Sequence, residues 1–187
     1  MGTEEAEAEL DRLEGIDTRD PPPFSAILLA DMGVRLRSVA ALLPFYDVDP
    51  VVTQVLGVQP WQDDPEVLSE TALQGAWIAG LPPDNVVQFE NDFENRFGRR
   101  PFTLALLAYD ATAIALQASL VPPEQRLDRL TDPAGFSGTA GAIRLLADGS
   151  TQHGLAILEV SRGGVRIVEP SPASFRDRPL PEPEPAS

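Results

Sequence analysis

The sequence predicts an α/β protein: a parallel α/β layer, then a helix pair, then C-terminal antiparallel hairpins. Three observations carry this. Apolar runs of strand length at 24–30, 53–58 and 76–80 alternate with helical stretches, the grammar of a parallel sheet with crossover helices. From Asp84 to Leu120 a long stretch of helical periodicity is broken once, between Gly98 and Pro101. Beyond Gly135, short runs are separated by Asp148-Gly149 and Gly163-Gly164, pairs that suit hairpin turns.

Thr3 to Glu14 reads as a short amphipathic helix, with glutamates in its first turn and Gly15 as its stop. After the rigid connector Arg19 to Pro23, the run Phe24 to Ala30 is apolar enough to predict a strand covered on both faces. Asp31-Met32-Gly33 opens a helix whose inward stripe is Leu36, Val39, Ala40 and Leu43, ending near Tyr46. Thr53 to Val58 is the second strand, Gln59 to Asp64 a turn holding Pro60 and Trp61, Pro65 to Thr71 a short helical piece, and Ala76 to Gly80 the third strand.

In the helix pair, Val86, Phe89, Phe93 and Phe97 form one apolar stripe opposite Glu90, Asp92 and Glu94, with Asp84 or Asn85 as N-cap and Gly98 as stop. The second helix opens near Pro101 and is apolar almost all round from Leu104 to Leu116, which predicts enclosure by other elements. Thr103, Asp110 and Gln117, spaced by seven, draw one thin polar line along it. Pro122 to Pro133 is a polar connection with a short helical segment, and Ala142 to Leu146, Gly154 to Ser161 and Val165 to Val168 are the hairpin strands. Prolines and acids dominate from Glu169 on, so 171–187 is expected to be a disordered tail.

The 187 residues, 43% of them hydrophobic, suffice for one ordinary domain with a sizeable core. A net charge of −15 argues against nucleic acid, whose phosphates need a basic surface. All 14 cations are arginine, as a GC-rich codon usage gives. Without cysteine, and with His153 as the only histidine, neither a thiolate site nor a histidine-based metal cluster or triad can be assembled in one chain, and no cofactor is expected. No apolar stretch reaches the ~18–20 residues of a membrane span. The acidic start, Gly2 to Arg12, is not a signal peptide.

Two phrases carry a resemblance: F..RFG..P...A..AYDA, Phe93 to Ala111, and FSG..G.IRLLADGS, Phe136 to Ser150. In this order and spacing they resemble the second half of the type I periplasmic binding proteins, the leucine-binding and extracellular ligand-binding receptor group. LLADMGVRLRSVAALLPFYDVD, VLGVQPW and ALQGAWIAG are similar to the penicillin-binding protein activator subgroup. The resemblance implies that 1–170 is the C-terminal portion of such a domain, its second lobe plus return helices at 84–120 that pack on the first lobe. The first lobe, and a signal peptide or lipid anchor, would then belong to a missing N-terminal part. It further implies a non-catalytic periplasmic module that contacts a cell-wall synthase and regulates peptidoglycan synthesis. The alternative is the solute-binding component of an ABC transporter for branched-chain amino acids, with a permease and a small ligand as partners.

Ligands of α/β sheets sit beyond the carboxyl ends of strands, which makes Asp31 and Met32 after the first strand, and Pro60 and Trp61 after the second, the cleft-facing candidates. Asp31 would take an ammonium group or simply cap the next helix; Trp61 would cover an apolar ligand or pack on the core. Neither loop offers the tyrosine or glutamate that grips an amino acid in the transport proteins. Tyr109 and Asp110 match the family's YDA, with a structural use expected for both, the aspartate bonding a neighbouring backbone group. Gly135, Gly138 and Gly141 lack the lysine of a phosphate cradle. Asp47, Asp49, Asp63 and Asp64 sit beside prolines as turn formers, and no catalytic constellation emerges.

Overall fold

A computed structural model describes residues 22–176. The expected helix at Thr3 to Glu14 and the end of the acidic tail lie outside them. The described chain forms two compact units, 22–78 with 159–166 and 79–158 with 167–176.

The first unit is built on parallel strands β1 (Ala26–Leu28), β2 (Gln54–Gly57) and β3 (Trp77–Gly80). β1 pairs with β2 in the register Ile27 to Val55, and β2 with β3 in the register Gly57 to Ile78. Together with β7 (Ala156–Ser161) and β8 (Gly164–Glu169) they make one sheet of order β1-β2-β3-β7-β8. The chain changes unit within β3, β7 and β8. Helix α1 (Gly33–Ala40) places Leu36 and Ala40 in the core, as their spacing predicts, but Val39 is exposed. Val55, Trp61, Val67, Leu73, Ile78 and Val160 complete that core.

The expected coverage of the first strand on both faces does not hold. Among the described residues β1 is the edge strand, with Ala26 and Leu28 exposed and Ile27 half-buried. An apolar run fixes strand propensity, whereas burial depends on what is stacked against it. Helix α2 (Pro65–Ser69) starts where sequence chemistry says it should: Pro65 opens it, and Oδ1 of Asp64 accepts from the N–H groups of Glu66 and Val67 at 3.0 and 3.3 Å. Asp64 is thus a cap rather than a solvated turn residue. Asp64→Ala is expected to cost about 1 kcal/mol, read as a lower urea midpoint with an unchanged slope.

The second unit opens with α3 (Pro83–Phe97), begun by Pro83 and without a side-chain cap, so that Asp84 and Asn85 lie inside the helix rather than before it. Gly98 ends it in a left-handed conformation, φ 67°. Helix α4 (Thr103–Ser119) follows, then α5 (Arg126–Leu130) and an antiparallel sheet of β4 (Phe136–Gly138), β5 (Gly141–Leu145) and β6 (Thr151–Gly154). In the turn between β5 and β6, the Ser150 hydroxyl and N–H hold the Asp148 carboxyl below the usual carboxylate range. The turn's contribution is therefore present above the unfolded value and lost only as the pH falls through the lower folded one.

Two expectations are corrected here. α4 is not enclosed: Leu106, Asp110, Ile114 and Ala118, four residues apart, make one buried ridge, while Leu104, Leu107 and Leu116 are exposed. Nor does the tail begin at 171. Phe175 is buried, its N–H donates to the Ala134 carbonyl at 3.0 Å, and the Arg144 guanidinium lies 4.6 Å from its ring centroid. The buried Phe175 ring and the Ser171 hydroxyl, which donates to the Gly154 carbonyl, hold a proline-rich segment that composition alone would leave free.

Candidate functional site

The four cleft-facing candidates stand at the carboxyl ends of β1 and β2, in the first unit. Trp61 is only 1% exposed, and its indole N–H donates to the Asp31 carbonyl at 2.9 Å. Its ring lies so close over Gly57 that a Cβ there would enter it, so glycine is required where the strand passes beneath the indole. Trp61 is therefore a strut between the two loops, with its polar group used and neither face free for a ligand. The Asp31 carboxylate accepts from the Met32 N–H at 2.8 Å and meets Nε of Arg35 at 3.4 Å, a solvated i,i+4 pair. It does not cap α1, whose N-cap is Met32 without a side-chain bond. Met32 and Pro60 are exposed. What this wall offers is a rigid surface with a small apolar area and one half-exposed carboxylate already beside a cation.

The pair Tyr109 and Asp110 lies in the second unit and is structural, as expected. The Tyr109 ring packs 5.5 Å from that of Phe89, joining α4 to α3. Asp110 is 2% exposed, and its two oxygens accept from the backbone N–H groups of Thr139 and Ala140, each at 2.8 Å. The glycine-containing loop between β4 and β5 thus does cradle an anion, and the anion is a carboxylate of its own chain. A Cβ at Gly138 would stand 2.7 Å from Oδ2 of Asp110, which explains a glycine there without any phosphate. Gln117, one step along the same polar line, accepts from the Arg129 guanidinium at 2.7 Å and fixes α5.

A feature that sequence reasoning missed is a cleft of about 320 Å³ in the second unit, lined by Pro82, Asp84 and Asn85 at the start of α3, by Ser137 and Gly138, and by Ser171 among others. The Ser171 hydroxyl already donates to the Gly154 carbonyl, and the lining contains no base and nucleophile in contact. His153 is exposed on β6 opposite Ile143. Among the described residues no three His, Cys, Asp or Glu side chains converge to hold a metal, and no helix is long and apolar enough to cross a membrane.

No protein-family model and no curated protein matches the sequence. Solved structures do. A branched-chain amino acid ABC transporter periplasmic ligand-binding protein from Burkholderia xenovorans LB400 superposes with a TM-score of 0.59 at 15% identity, over 79% of this chain and 44% of that one. A putative branched-chain amino acid ABC transporter from Rhodospirillum rubrum gives 0.55 at 16% identity, over 87% and 64%. The LpoA C-domain from Haemophilus influenzae, a regulator of PBP1A, gives 0.51 at 13% identity, over 86% and 49%. The chain spans less than two thirds of the length of each. Likeness at such identities speaks for the fold alone. What it establishes is that this chain has a type I periplasmic-binding-protein-like fold.

Proposed function

We propose that the chain is a non-catalytic, periplasmic module that works by protein contact, regulating peptidoglycan synthesis in the manner of a penicillin-binding protein activator. The observation that carries this reading is the state of Trp61: the one side chain able to wall an apolar ligand is buried and bonded to the neighbouring loop. Without it, the loops beyond β1 and β2 offer a ligand only Asp31, Met32 and Pro60, whereas a partner protein needs no enclosure. A binding pocket encloses most of a small ligand, whereas this wall is open, and a ligand of few atoms has little other free energy to offset its immobilisation. The likeness to the LpoA C-domain supports the same reading. The higher TM-scores of the two transporter-associated proteins favour the second reading, a solute-binding component for branched-chain amino acids.

Calorimetric titration separates them. The chain is expected to show no micromolar binding of leucine or of a mixture of other amino acids, and to bind a periplasmic penicillin-binding protein domain from the same organism. Micromolar binding of a free amino acid, with no response to the synthase, would reverse the order of the two readings.

A further inference from the structure

The loop between α1 and β2, at the end of the sheet opposite Asp31 and Trp61, carries the most exposed aromatic pair of the first unit. Phe45 is 78% exposed and Tyr46 66%, with Leu42, Val51 and Val52 exposed beside them. The two rings meet edge to face, centroids 5.1 Å apart, and have no third ring against them among the described residues. Clusters of large apolar side chains left in water mark contact sites more often than scattered single ones do.

This loop is held rather than loose. The Tyr46 and Val48 N–H groups donate to the Leu43 carbonyl at 3.2 and 3.0 Å, those of Val52 and Thr53 to the Asp49 carbonyl at 3.0 and 2.8 Å, and the Asp49 side chain accepts from Val51 N–H at 2.8 Å. Leu43 and Val48 anchor it from below, both buried. Asp47, at φ 57°, is the only residue other than glycine in the left-handed region among the described residues, so the turn that presents Phe45 and Tyr46 is kept at a cost in backbone strain. A rigid loop with exposed rings has already met most of the ordering cost of binding.

Charge selects the occupant. No arginine, lysine or histidine occurs from Ser38 to Asn95, and the loop itself contributes Asp47 and Asp49. A second copy brings the same acids within a chain of net charge −15, and an anionic lipid surface repels them equally. The exposed face of α4 is wider but uncharged, so nothing there distinguishes one apolar occupant from another. From this geometry we infer that the Phe45–Tyr46 loop is the docking element for the partner protein, inserting its two rings into an apolar pocket whose rim carries arginine or lysine. The inference rests on the protein-contact reading above and names the surface that such contact uses.

The test is biolayer interferometry of the full chain against a penicillin-binding protein domain from the same organism, at low and at high salt, for wild type and the double variant Phe45→Ser, Tyr46→Ser. The variant is expected to keep its thermal melting, because both rings are exposed, and to lose at least about tenfold in affinity; wild-type binding should weaken with salt. Wild-type binding that the variant retains would overturn this surface while leaving the contact reading standing. If wild type does not bind the synthase, that reading falls, and a photo-crosslinking residue at position 45, in cells of the same organism, decides the surface. An adduct with an identified protein, whose purified form binds wild type but not the double variant, would support it. Adducts only with a second copy or lipid, or none, would overturn it.

Discussion

Asp110→Ala is expected to lower the stability of the second unit by about 3 to 5 kcal/mol, enough to take the melting temperature down by roughly 10 °C or more. The side chain is buried on α4 and receives two backbone N–H groups, from Thr139 and Ala140, in charge-assisted bonds of 2.8 Å. Alanine removes the acceptor of both donors, of which Ala140 is fully buried and Thr139 partly so, and each stranded donor costs about 1 to 3 kcal/mol. Asp110→Asn separates this account from simple loss of packing. The amide keeps the shape but has one acceptor oxygen, so it can satisfy Thr139 or Ala140 while its own NH₂ confronts the other donor. Thermal melts should therefore rank wild type above Asn above Ala. An asparagine variant as stable as wild type would mean that the two bonds are not what holds the β4–β5 loop to α4.

That same residue shows how much of this protein was legible. The parallel α/β alternation could be read because each strand has its own apolar run and each connection its own Gly, Pro or Asp; β1, β2 and β3 lie parallel as expected. The spacing of seven from Asp110 to Gln117 placed two polar residues on one line of a largely apolar helix, and both turned out to tie that helix to the elements after it. What could not be read is set by tertiary neighbours. Leu28 and Ile27 are equally apolar in sequence, yet they point to opposite faces of β1, and only the face of Ile27 is partly covered. Trp61 was poised between ligand wall and core, and only the position of the Asp31 carbonyl, brought near by parallel pairing of β1 and β2, assigns it to the core. Phe175 was lost in a run of prolines and acids because a single anchor has no periodicity to detect.

The second large effect follows from the one face of α4 that is covered. Hydrophobic periodicity cannot rank Leu107 against Ile114, since the helix is apolar almost all round; burial can. Ile114 is 8% exposed and belongs to the ridge of Leu106, Asp110 and Ala118, whereas Leu107 is 43% exposed on the open side. Ile114→Asp would place a second carboxylate one turn beyond Asp110, against apolar atoms and beside a like charge, and neither solvent nor the two N–H groups already bound to Asp110 could compensate it. The expected cost is about 4 kcal/mol or more, a large share of the ~5 to 15 kcal/mol that stabilises a domain, so the variant should be unfolded or strongly expanded near neutral pH. Its stability should partly return in acid, where the neutral carboxylic acid is cheaper to bury. Leu107→Asp keeps its carboxylate in water and loses only part of a leucine's burial and a little helix propensity, about 1 to 2 kcal/mol in all. Urea denaturation followed by circular dichroism gives both numbers. Equal losses for the two variants would show that the open side of α4 is covered in solution after all, and would restore the enclosed helix that the sequence predicts.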